Sequence, residues 1–432
     1  MVLSVSTLPL PLPEREGNWE HAPAKEKASM SQVRWRFTRN GRLLCALAMI
    51  SFLPSTSGGA EAVTWDLDAL YKAPRSAEAR FKETGVRGIY YDGVPFQGKP
   101  TRVFAWIGLP DSPKSSKVPG MVLVHGGAGK AYADWVRLWN ARGYAAIAMD
   151  TCGADGSGKR MLDNAGPRGW DDALTQCEWP VTDQWAYHAV ADIVLAHSLL
   201  RSLPEVDSDK IGLTGISWGG FLACITAGVD DRFKFVAPVY GCGFLGEDSV
   251  WKPALDSLGP ELSASWLARW DPAVYLPRAK MPFLWVTGDM DYAFPLGSFQ
   301  KSYRLPPGKR YLAIRHDMPH GQTQGATAPE ILAFAQQINC HEAPLARMSE
   351  QGNDGNSAWA KFVAEDSLSK AQLVTTKDPG PWSQRKWTVN DAELDKSAGR
   401  TAARLPDGTR AFYFILLDDR GCVASSEHVE LQ

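Results

Sequence analysis

Residues Lys210 to Phe221 read Lys-Ile-Gly-Leu-Thr-Gly-Ile-Ser-Trp-Gly-Gly-Phe, and no other stretch constrains this chain as strongly. A short apolar run (Ile211, Leu213, Ile216) predicts a buried strand, and small residues after Gly220 (Ala223, Cys224, Ala227) predict a helix. Between them Gly215-Ile216-Ser217-Trp218-Gly219 places a serine at the apex of a sharp turn. G-x-S-x-G carries meaning in this strand–turn–helix setting, because the glycines admit the crowded backbone that lifts the serine out of the sheet. Ser217 is therefore a candidate nucleophile. It needs a base, a group that orients the base, and donors for a developing oxyanion.

Each requirement has a candidate at the end of a predicted strand. The apolar run Gly120 to Val124 leads into His125-Gly126-Gly127-Ala128-Gly129. The backbone N–H groups of Gly127 and Trp218 are the expected oxyanion donors, and His125 is expected to hold the loop. Downstream, the strand Pro282 to Thr287 is followed by Asp289 and Asp291, and the strand Arg310 to Arg315 by His316 and His320. Asp291 and His320 are the preferred acid and base, since both lie deeper in their loops. Asp289 and His316 stand as their rivals. The i, i+4 spacing of the two histidines suggests a metal pair only on a helix, which Pro319 and the preceding strand argue against. No metal and no cofactor are expected.

Alternating strands and helices run to about Cys340 and imply a parallel sheet with crossover helices. Residues 343–432 change character. Short strand-like runs (Ala371 to Thr376, Ala411 to Leu417) alternate with turns such as Asp418-Asp419-Arg420-Gly421, as in a small β-sandwich. The expected division is 1–62 leader, 63–340 catalytic domain and 343–432 β-domain.

The leader contains an address. From Met30 a basic segment (Arg34, Arg36, Arg39, Arg42) precedes the apolar run Leu43 to Leu53 and then Ala60-Glu61-Ala62. That order predicts an export signal, a mature chain starting near Val63, and a secreted or periplasmic protein without stable membrane association after cleavage. Residues 1–29 read as a disordered extension, with Met30 as a possible true start. A net charge of -2 gives no field for nucleic acid. Six cysteines follow the leader, and Cys152 with Cys177 is the expected disulfide. Seventeen tryptophans are many. Trp170 and Trp251 lie in irregular stretches and are expected at the substrate, with Trp135 and Trp270 as further candidates for a sugar-binding surface.

The region Arg102 to Cys340 resembles secreted α/β-hydrolases of the acetyl xylan esterase and dienelactone hydrolase branch, which is related to prolyl oligopeptidase catalytic domains. The stretches that carry the resemblance are Met121 to Gly127, Asp209 to Gly220, Gly288-Asp289-Met290-Asp291 with Pro295, and His320-Gly321. The resemblance implies an α/β-hydrolase fold, a mostly parallel doubly wound sheet, with the small β-domain outside it. It also implies Asp291 as acid, third after its glycine, and His320 as base. The nucleophile is serine, where dienelactone hydrolases have cysteine, so dienelactone opening is not implied. The implied activity is a serine carboxylic-ester hydrolase that deacetylates polysaccharide or sugars. The alternatives are a serine peptidase of prolyl-oligopeptidase type and a non-catalytic carbohydrate-binding protein.

Overall fold

Continuous apolar runs set the centre of the structure. Met121 to Val124 and Ala145 to Met149 are buried without alternation, as strands covered on both faces must be. The computed structural model describes residues 63–111, 117–365 and 368–431. The proposed leader, 1–62, lies outside them. Among the described residues no helix is long and apolar enough to cross a membrane.

Nine strands form one sheet: β1 (Ser76–Glu83), β2 (Val86–Asp92), β3 (Arg102–Gly108), β4 (Val118–Val124), β5 (Ala145–Met149), β6 (Val206–Ile216), β7 (Phe235–Val239), β8 (Phe283–Gly288) and β9 (Arg310–Arg315). The order is β1-β2-β3-β5-β4-β6-β7-β8-β9. From β5 to β9 every neighbouring pair is parallel. The expected parallel sheet is thus present, extended by an antiparallel β1–β2–β3 flank. The helix Trp185–Arg201 is buried along nearly its whole length and stops before Pro204. The helix Trp218–Ala227 is buried at every position. Its small residues permit that approach: a Cβ on Gly219 would sit 2.1 Å from the Val124 carbonyl oxygen.

The remaining strands are β10 (Arg347–Asp354), β11 (Ser357–Val363), β12 (Leu368–Thr376), β13 (Trp387–Asp391), β14 (Glu393–Asp395), β15 (Arg400–Arg404), β16 (Ala411–Asp418), β17 (Val423–Ser425) and β18 (Val429–Glu430). They make two antiparallel sheets, one ordered β10-β11-β15-β14 and the other β13-β12-β16-β17 with β18 also on β16.

This β-region closes the open edge of the main sheet. An edge strand exposes unpaired N–H and C=O groups and invites pairing with another chain. At β9 the Ile314 N–H donates to Ser425 Oγ at 2.9 Å. The Val423 N–H donates to Glu330 Oε1 at 2.6 Å, and Glu330 also pairs with Arg315. Glu427 reaches both Arg304 and Arg310. Tyr413, Ile415 and Val423 share one buried apolar cluster with Trp285 and Ile314. Glu330 is fully buried, so Glu330→Ala strands a buried N–H and the Arg315 guanidinium. The expected loss is about 3 kcal/mol, read as a lower urea midpoint. An unchanged midpoint would show that the edge is held by apolar contact alone.

One sequence expectation fails here, the disulfide, and the tryptophan candidates are narrowed. All six described cysteines are free, Cys152 and Cys177 included. Trp135 and Trp270 are core residues: both are buried, and the Trp270 indole N–H donates to Gln184 inside the protein.

Candidate active site

The site gathers at the C-terminal ends of the parallel strands, where open α/β sheets place their ligands. Backbone strain marks it. Ala128, Ser217, Tyr240 and Asp317 all take left-handed φ, between 55° and 62°, in the turns after β4, β6, β7 and β9. Such conformations cost about 1–3 kcal/mol each and persist where the surroundings impose them. Ser217 has φ 57° and ψ -119°, and its side chain makes no capping hydrogen bond to its helix. Gly215 and Gly219 are obligatory beside it, since a Cβ on Gly215 would lie 2.1 Å from the Gly219 carbonyl oxygen.

The two rival pairs sort themselves through space. Asp291 Oδ2 accepts from His320 Nδ1 at 2.6 Å, while its Oδ1 accepts the Ala293 and Phe294 N–H groups at 2.9 and 2.7 Å. Asp289 Oδ2 pairs instead with His316 Nδ1 at 2.7 Å. The rivals are therefore each other's partners. Tyr240 ties His320 to the elbow. The Ser217 N–H donates to the Val239 carbonyl, the next residue is Tyr240, and its ring stacks on the His320 imidazole with centroids 4.4 Å apart. The Tyr240 hydroxyl donates to the Pro319 carbonyl at 2.8 Å. His320 Nε2 has no hydrogen-bond partner among the described residues, so it is free to serve as an acceptor. Asp289, His316 and Asp317 offer ligand atoms within 4.8 Å of one another, but these groups already bond to one another.

The loop after β4 is held from below. His125 Nε2 accepts the Thr151 N–H at 3.0 Å, which leaves the proton on Nδ1, and Nδ1 donates to the Gly126 carbonyl at 2.7 Å. Burial raises the pKa of Asp150 beside it, and His125 and the Cys152 and Ala154 N–H groups oppose that rise. A Cβ on Gly126 would meet the Ser217 Cβ at 3.2 Å, so this loop touches Ser217 itself. Trp218 is the first residue of its helix, where N–H groups lack an intrahelical acceptor. Neither Gly127 N nor Trp218 N is spent on a backbone acceptor in the turns and loops of the described residues.

Aromatic rings line the rest. Trp170 and Trp251 are half-buried and converge on Trp218, with centroids 6.4 and 4.9 Å from its ring. Trp251 meets Phe294 at 4.8 Å, and Tyr292 lies 5.0 Å from His320. Trp170 also sits against the β4 loop, 2.8 Å from where a Gly127 Cβ would be. Burial pushes the Cys152 thiol up to about 12 and raises Cys177, Cys224, Cys242 and Cys422 as well, which makes these five thiols poor nucleophiles. Tyr240 and Tyr413 were not singled out in the sequence. Tyr240 ends an apolar strand and carries no local signature of a left-handed φ.

Known proteins resemble parts of this chain. The acetyl xylan esterase (AXE1) family profile matches residues 65–248. A protein of Aspergillus terreus described as "Probable dipeptidyl-peptidase 5" is 28% identical over 224 residues, 48% of this chain and 28% of that protein. Dipeptidyl-peptidase 5 of Porphyromonas gingivalis is 24% identical over 257 residues, 55% of this chain and 33% of that protein. The chain thus spans about a third or less of these relatives' own length. Among solved structures, acetyl xylan esterase 1 from Thermoanaerobacterium sp. JW/SL YS485 superposes with a TM-score of 0.50 at 19% identity, covering 64% of this chain and 93% of that one. The chain is an α/β-hydrolase-superfamily protein, similar over part of its length to acetyl xylan esterases and to dipeptidyl-peptidase 5.

Proposed function

We propose that the protein is a serine hydrolase that opens an ester or amide bond through an acyl-enzyme. The Asp291–His320 hydrogen bond of 2.6 Å, stacked over the residue that follows the elbow's own acceptor, carries this reading. Ser217 Oγ attacks the acyl carbon and His320 Nε2 takes its proton. Asp291 fixes the imidazole with its proton on Nδ1. The Gly127 and Trp218 N–H groups receive the oxyanion, and Trp170 and Trp251 contact the substrate. His320 then protonates the leaving group, and water, activated by the same imidazole, releases the acyl group. Export to the periplasm or beyond belongs to the same proposal.

Of the finer readings, a peptide amide has better backing than the acetyl ester that the sequence resemblance puts first. The curated relatives carry a peptidase name, whereas the esterase reading draws on the sequence resemblance, the family profile and a fold likeness at 19% identity. A third reading, glycan binding without turnover, draws on the β-region and the half-buried tryptophans. A panel of a dipeptidyl 4-nitroanilide, p-nitrophenyl acetate and acetylated xylan separates them. Turnover of both the anilide and the activated ester is the expected result. Xylan deacetylation without anilide turnover would move the assignment to the esterase. Glycan binding with all three substrates untouched would remove the hydrolase.

A further inference from the structure

The second carboxylate–imidazole pair has no work in the mechanism above, yet it is built with care. Asp289 is 1% exposed. Its Oδ2 accepts from His316 Nδ1 at 2.7 Å and from the Tyr413 hydroxyl at 2.9 Å, and its Oδ1 accepts the Asp317 N–H at 3.2 Å. These groups come from three places: the turn after β8, the turn after β9, and the middle of β16 in the C-terminal region. Asp289 precedes Asp291 by two residues, and His316 precedes His320 by four.

The two turns are therefore joined twice, through Asp291–His320 and again through Asp289–His316. They also touch as backbone, since a Cβ on Gly288 would lie 2.1 Å from the Met318 carbonyl oxygen. Tyr413 locks the second joint from outside the α/β region. It is fully buried, and its ring packs on Trp387 with centroids 5.5 Å apart. A hydroxyl in that position does nothing for the apolar core that phenylalanine would not do. Its value lies in the bond to Asp289.

We infer that Asp289, His316 and Tyr413 are positioning residues: a brace through which the C-terminal β-region sets the geometry of the Asp291–His320 pair. The inference rests on the triad proposed above. Residues in turns beyond strand ends have few neighbours to hold them, and a misplacement of about 1 Å at a reacting group can cost roughly 100-fold in rate. A buried carboxylate that accepts three hydrogen bonds is a stiff anchor for both turns. The brace makes no contact with the Trp170–Trp218–Trp251 surface in the ring pairs described, so its loss acts on proton transfer rather than on binding.

The test uses the full chain and a fluorophosphonate probe, which phosphonylates an activated serine whatever the natural substrate. Tyr413→Phe removes one hydroxyl and keeps the ring. Expected is a fall in kinact of about tenfold with KI unchanged. The far-downfield proton resonance of the His320–Asp291 hydrogen bond should shift or broaden. His316→Ala should behave the same way, and His316→Asn, which restores a donor near the Nδ1 position, should recover most of the rate. Tyr413→Phe and His316→Ala that label Ser217 at the wild-type rate, with the resonance unmoved, would overturn the brace even if both proteins melt earlier. Ser217→Ala in parallel separates the two ideas. If it still labels, the triad reading fails and takes the brace with it. If it is inert while Tyr413→Phe labels normally, the brace alone fails.

Discussion

Ser217→Ala is expected to lower kcat on p-nitrophenyl acetate by about 10⁴-fold or more, with thermal stability unchanged. The residual rate comes from the oxyanion donors and substrate positioning, which by themselves leave roughly 10³–10⁴-fold over water in other serine hydrolases. Stability should hold because the hydroxyl makes no capping bond to its helix, so its removal orphans no buried group. Alanine also bears the left-handed φ of 57° about as poorly as serine does. The strain itself can be read out with Ser217→Gly. That variant should be equally inactive, yet more stable by about 1 kcal/mol, because glycine adopts this conformation freely. Activity within tenfold of wild type in Ser217→Ala would mean that another group attacks the substrate.

The elbow was legible because everything that makes it is local. An apolar strand, two glycines around a serine and a run of small helical residues lie within a dozen positions. The same holds for β4, β5 and β8, whose uninterrupted apolar runs can only be strands covered on both faces. Legibility falls where a segment's partner is distant. The strand β10, Arg-Met-Ser-Glu-Gln-Gly-Asn-Asp, has no alternation because it is mostly exposed and its pairing shifts register within the strand. Cys152 and Cys177 both sit in loop-like sequence, but proximity of two sulfurs is a property of the folded loop, and in the structure both are free. Depth in the loop favoured Asp291 and His320, but which carboxylate meets which imidazole had no local answer. All four follow strands, and only their pairing in space separates them. Tyr413 was invisible for the strongest form of this reason. It is one aromatic in an apolar strand, and the carboxylate it serves lies 124 residues earlier.

The β-region thereby changes its standing. By sequence it is an appendage outside the resemblance to known hydrolases. In the structure it covers the edge of β9, donates a hydrogen bond to a buried glutamate and reaches within two residues of the candidate acid. Its removal would expose an unpaired strand edge and free the two turns that carry Asp291 and His320.

Asp291→Asn gives the sharpest test of which carboxylate serves the base. The amide is isosteric, so the backbone turn should persist, but it can present its NH₂ to His320 Nδ1 as a donor. The imidazole then carries its proton on Nε2, where it cannot accept one from Ser217. A loss of about 10⁴-fold in kcat at neutral pH is expected, with little change in KM. Asp289→Asn should behave differently. It disturbs a carboxylate that holds His316 and Tyr413, in a site where burial already raises its pKa against their hydrogen bonds. The chain should lose stability there, and kcat should fall by only about tenfold, the cost of a loosened turn. The ratio of the two losses in kcat, measured on folded protein, is the deciding quantity. Were Asp289→Asn the more damaging by that measure, the working pair would be Asp289–His316, and the stacking of His320 on Tyr240 would need another purpose.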